Sequence, residues 1–144
     1  MPNNKITRTI TFPSLELVFK QTWSKMISRH FTLSSTYIKS RVLRSFINEK
    51  NRYPLPLSED IPILNRIAIK MLHDNLVNNA FISELELDQF PSICNAINVI
   101  TCSTLGSFLA QEVIKAVSLS GEPGFNIFEF NGHDCSVRAF PFGA

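Results

Sequence analysis

Leu105-Gly106-Ser107-Phe108-Leu109-Ala110-Gln111-Glu112-Val113-Ile114-Lys115-Ala116-Val117-Ser118 is followed, after a short break, by Asn126-Ile127-Phe128-Glu129-Phe130-Asn131-Gly132. The spacing of the first segment predicts a helix over Gly106–Ser118, with Gln111, Lys115 and Ser118 as a narrow polar stripe at i, i+4 and i+7. A helix apolar on most sides needs burial in a large core or an interface. Gly106 and Ser107 leave room for another backbone at its start, and Gly121 and Pro123 are the expected stop signals. In the second segment Phe125, Ile127 and Glu129 alternate with Asn126, Phe128 and Phe130, which predicts a strand. Phenylalanine on both faces predicts cover on both sides, as in an α/β sheet. Asn131-Gly132 opens a turn that His133 and Asp134 extend, and Cys135–Phe142 returns as a second strand. So thin a sheet does not match so apolar a helix, and the missing strands are expected from outside this chain.

Upstream, Lys5–Phe12 alternates polar and apolar residues and reads as a short strand ended by Pro13. Helices are predicted over Ser14–Met26 and Thr32–Asn51, the latter with an apolar stripe opposite Lys39, Arg41 and Arg44. Those bases, with Lys50 and Arg52 following, read as one solvated helix face. Tyr53-Pro54-Leu55-Pro56 is a connection. Ser58-Glu59-Asp60 is the expected start of a third helix, with Pro62 at an early helical position. A further cap region at 83–91 precedes a short helix. The fold class expected is α/β. Residues 1–92 supply a strand and a helical cluster, and residues 93–144 a buried helix and two strands.

At 144 residues there is length for one domain. A hydrophobic fraction of 44% and a charged fraction of 18% are ordinary for a globular chain. A net charge of +2 with both signs dispersed makes no electrostatic case for nucleic acid. No apolar run reaches membrane-spanning length, so no membrane contact is expected. The opening Met1-Pro2-Asn3-Asn4-Lys5 lacks the apolar core of a signal peptide. Cys94, Cys102 and Cys135 form no CxxC pair, which argues against a disulfide scaffold or a thiolate zinc site and for a reducing compartment. All five glycines lie from Gly106 onward, so the first hundred residues hold no glycine-rich phosphate loop.

The two opening segments together resemble the C-terminal signature of the ubiquitin-like-modifier-activating (ThiF/MoeB-like) family. There, a Gly-Gly-x-x-Ala-Gln-Glu-x-Ile-Lys helix precedes an Asn-x-Phe-x-Phe-Asp-Gly strand and turn. Here the second glycine is Ser107 and the turn aspartate is Asn131. Within the family, Ile10 to Trp23 is similar to the entry segment of the small, non-catalytic subunits of SUMO-activating enzymes. The resemblance implies the C-terminal part of an adenylation domain, a fragment without its nucleotide-binding half. It further implies a heterodimer with the large catalytic subunit, MgATP held in that assembly, SUMO engaged indirectly, and location in the nucleus or also the cytoplasm. No catalytic, cofactor-binding or metal residue is implied in this chain. The expected role is a core and interface built by Gly106, Ser107, Phe108, Gln111, Glu112, Lys115, Asn126, Phe128 and Phe130. The competing reading is a helical interaction module without ATP chemistry, which would cover its own apolar surface.

Other polar residues have plainer explanations. Gln111 and Lys115 are spaced to pair across one turn. Cys94 and Cys102 lie among Ile, Ala and Val, where buried inert thiols are usual, and Cys135 with His133 and Asp134 belongs to a turn. His30 and His73 lack companions at metal-ligand spacing. Asp60, Glu84, Glu86 and Asp88 read as helix-start acids.

Overall fold

The computed structural model describes residues 11–23, 34–56, 59–94, 98–124, 127–131 and 135–140. Helix α1 (Leu15–Lys20) starts where the Ser14 hydroxyl accepts the Leu17 N–H at 3.3 Å. It is shorter than the predicted Ser14–Met26, because the chain turns extended at Gln21 and carries Trp23 into the core. Residues 24–26 lie outside the described residues. So do Lys5–Ile10 of the predicted strand, whose last residues Thr11 and Phe12 take no part in a strand.

Helix α2 (Ser35–Lys50) is capped by the Ser34 hydroxyl, which accepts the Thr36 N–H at 3.1 Å, and ends where Asn51 turns left-handed at φ 53°. It buries Tyr37, Ile38, Val42 and Phe46. Helix α3 (Asp60–Asp74) answers with Leu64, Ile67, Ala68 and Leu72. These sets recur at three- and four-residue steps, so each helix offers one stripe and the two stripes close on each other. A 3₁₀ segment (Asn79–Leu85) crosses both helices and contributes Leu85, and the short α4 (Phe90–Ile93) contributes Phe90. The Trp23 ring meets Tyr37 edge to face at 5.9 Å, and the Trp23 backbone N–H donates to the Asn75 side-chain oxygen at 3.3 Å. That bond ties α1 to the end of α3.

The acids predicted to cap α3 have another task. Ser58 is outside the described residues, and Glu59 makes no side-chain cap bond. Asp60 is 2% exposed and receives both guanidinium arms of Arg52, at 2.7 and 2.9 Å. It also accepts the Leu55 N–H at 2.8 Å. One buried carboxylate therefore closes the Tyr53–Pro56 connection onto α3. The Arg52 hydrogen bonds, then the Leu55 N–H, hold this carboxyl below the usual aspartate range.

Helix α5 (Val99–Ser118) begins earlier than the predicted Gly106, because the Asn98 side chain caps it by accepting from Ile100 and Thr101 N–H. It ends at Leu119, itself left-handed at φ 54°, and not at glycine. Strands β1 (Ile127–Asn131) and β2 (Ser136–Phe140) pair antiparallel, with Ile127 opposite Phe140 and Phe130 opposite Val137. Among the described residues these are the two strands present. The chain is thus mostly helical with one hairpin. The expected cover on both faces of the first strand is not found, since Ile127 to Phe130 are all half-buried.

Candidate docking interface

A helix as apolar as α5 needs a core or an interface to cover it, and the described residues of this chain do not bury it. No residue of α5 is buried. Val113 is 61% exposed, Val117 79% and Leu119, just past the helix, 89%. Val99, Ile100, Leu109 and Ile114 are exposed as well. The reason lies in the partner surfaces. Helices α2 and α3 have already closed on each other, and the hairpin covers only a limited part of α5.

A clasp holds α5 and the hairpin approach together. Glu112 accepts from Lys115 Nζ at 2.7 Å and, through its other oxygen, from the Gly124 N–H at 2.5 Å. Lys115, then Gly124, hold the Glu112 carboxyl below its usual range. A methyl group added at Gly124 would stand 2.8 Å from Phe128 Cζ, so only glycine lets this ring lie against the segment. Sequence spacing suggested that Lys115 pairs with Gln111. It pairs with Glu112, and Gln111 is exposed. Gly124 was missed, and the only available signal was its position between helix and strand.

Of the other expected interface residues, Gly106 is exposed, and a methyl group there would meet nothing within 4 Å. The close backbone neighbour expected at this point is not found among the described residues. The Ser107 hydroxyl donates to the Ser103 carbonyl one turn back. Phe108 is exposed, and Asn126 lies outside the described residues. Phe128 and Phe130 line a hollow of about 270 Å³ with Tyr37, Ser40 and Leu105, where β1 leans towards α2. Ile127 packs against the main core.

Nothing here assembles a reaction centre among the described residues. Cys94 is half-buried, its thiol donating to the Pro91 carbonyl at 3.6 Å, and burial pushes its pKa up, away from the reactive thiolate. Cys102 and Cys135 are exposed, which corrects the expectation that Cys102 is buried. His133, Asp134 and His30 lie outside the described residues. His73 is exposed beside Asp74, and Glu86 ends the 3₁₀ segment left-handed at φ 43°, so it is not a helix-start acid.

No family model matches the chain. Curated proteins do. SUMO-activating enzyme subunit 1B-1 of Arabidopsis thaliana is 32% identical over 126 residues, which is 87% of this chain and 38% of that protein. SUMO-activating enzyme subunit 1 of Danio rerio is 30% identical over 131 residues, 88% of this chain and 36% of its own length. The Xenopus laevis subunit 1 is 34% identical over 98 residues, 67% of this chain and 27% of its own. The chain is a partial relative of SUMO-activating enzyme subunit 1. It spans well under half the length of the subunit 1 proteins it matches. The similarity to subunit 1 extends over most of the chain, beyond the helix-and-strand signature that first suggested it.

Proposed function

We propose that the chain acts as a non-catalytic component of a heterodimeric SUMO-activating enzyme. In this reading it corresponds to the C-terminal portion of a ThiF/MoeB-like adenylation domain, and its partner is the large catalytic subunit. MgATP belongs to the assembled heterodimer, SUMO is engaged through adenylation and thioester formation on the partner, and the site of action is the nucleus, with the cytoplasm second.

One observation carries the proposal: a twenty-residue helix, apolar on most sides, with no buried residue. Covering its exposed Val, Ile, Leu and Phe side chains would stabilise an assembly by on the order of 10 kcal/mol before the cost of association. Gly106, Ser107, Phe108 and Gln111 lie on this open helix. Glu112 and Lys115 brace it from within, and Phe128 and Phe130 hold the adjoining hairpin. A self-sufficient interaction module would have covered the same helix, so its exposure weighs against the competing reading.

The test is co-purification of the chain with the large SUMO-activating subunit, followed by ATP-dependent SUMO thioester formation. Stable co-purification that Val113→Ser with Val117→Ser weakens supports the proposal. A chain that stays free of the large subunit, with α5 amides protected from hydrogen exchange by self-association, would leave the interaction-module reading.

A further inference from the structure

The basic face of α2 divides into two groups. Lys39 lies 4.0 Å from Glu86, Lys50 lies 3.8 Å from Glu49, and Arg52 just beyond the helix is held by Asp60. Arg41 and Arg44 have no carboxylate partner among the described residues. Both turn instead onto one ring, with guanidinium carbons 4.6 and 5.1 Å from the Phe19 centroid. Arg41 is fixed there by donating to the Phe19 carbonyl and the Tyr37 hydroxyl, each at 3.3 Å. Phe19, Arg41, Arg44, Ser45, Asn48 and Met71 line a hollow of about 260 Å³.

We propose that this hollow is a receptor for an acidic peptide segment of a protein partner, with Arg41 and Arg44 sharing one carboxylate. Capping Phe19 needs a single guanidinium. A second on the same ring adds repulsion between like charges, which an oxyanion between them removes. The guanidinium fork matches a carboxylate in two parallel hydrogen bonds, and Arg41 is already oriented before a ligand arrives. Phe19 and Met71 add apolar wall, while Ser45 and Asn48 add a hydroxyl and an amide. That combination suits a glutamate or aspartate next to an apolar residue better than a bare anion. It does not suit nucleic acid, which needs a longer basic track than two arginines. The inference is independent of any role in SUMO activation.

The experiment is fluorescence anisotropy of the full chain with a labelled pentapeptide of alternating glutamate and leucine. Saturable binding is expected, absent for the glutamine version of the peptide. Arg44→Gln should weaken it at least tenfold, and Arg44→Lys by a smaller factor because the fork is lost. Arg44 is exposed, so both variants should keep the parent melting temperature. Lys70→Gln, which removes an exposed charge from α3, should leave the affinity unchanged. Absence of saturable binding would overturn the proposal. So would equal weakening by Lys70→Gln, which would mark diffuse charge attraction. Displacement by inorganic phosphate at the concentrations at which unlabelled peptide displaces would overturn the peptide assignment in favour of a simple oxyanion site.

Discussion

The helical cluster and helix α5 are both rich in apolar residues, yet they come to opposite ends. In the cluster Ile38, Val42, Phe46, Leu64, Ala68, Leu72 and Leu85 are wholly enclosed. In α5, no side chain is enclosed. The cluster residues form one stripe per helix, and another element of the same chain meets each stripe. Helix α5 offers apolar surface on several sides, and a two-stranded hairpin is too small to cover it. Apolar periodicity reports a demand for cover, and whether the demand is met depends on which surfaces the chain brings to face one another.

The sharpest break in this comparison comes from matched truncations. Phe46→Ala should cost about 3–5 kcal/mol by leaving a cavity between α2 and α3. Val117→Ala should change stability by no more than about 0.5 kcal/mol. Urea unfolding followed by circular dichroism measures both, and equal losses would mean that α5 is packed after all. Next in size is Asp60→Ala, expected to cost about 2 kcal/mol because the Leu55 N–H and the Arg52 fork lose their buried acceptor.

A pH series sharpens the same point. The Asp60 carboxyl is lowered on folding, so its contribution is fully present above the ordinary aspartate range and is lost as pH falls below about 4 and through the folded-state value. Asp60→Asn should therefore flatten the acid side of the stability profile. An unchanged profile would show that the Arg52 clasp does not form in solution.

Smaller effects are expected on the α5 side. Gly124→Ala forces Phe128 to move and should cost about 1 kcal/mol, confined to the hairpin. Hydrogen exchange should speed up at residues 127–131 and stay constant at 38–46. Smallest of all, Val113→Ser with Val117→Ser should leave the cluster's unfolding midpoint in place while reducing self-association or capture of a partner. A large drop in midpoint would show that the open face of α5 stabilises this chain by itself.

Legibility in the sequence followed the same division. The stripes of α2 and α3 and the return of β2 alongside β1 could be read because the periodicities that mark them are local. The extra turns at the start of α5 were missed because the Asn98 cap lies seven residues ahead of the first apolar core of the motif. Trp23 was placed in a helix, although the chain leaves helical geometry at Gln21 to deliver it to Tyr37. The double duty of Asp60 was invisible, since an acid at a helix start looks the same whether it faces the helix dipole or an arginine eight residues back. Of the nine candidate interface residues, most are now located on α5 and β1. What was not legible is that Glu112 engages both Lys115 and the Gly124 N–H.

Sequence alone determined that this chain holds no glycine-rich phosphate loop in its first hundred residues, and that its last third carries a helix and hairpin of a recognisable pattern. Those properties depend on residue type and on spacings of a few positions. Tertiary structure decided which apolar stripes found each other, which carboxylate went to Arg52 and which bases were left to crowd Phe19. It also decided that α5 stands open. Each of those outcomes requires two distant segments to meet, and the energy of such a meeting belongs to the pair of surfaces, not to either stretch of residues.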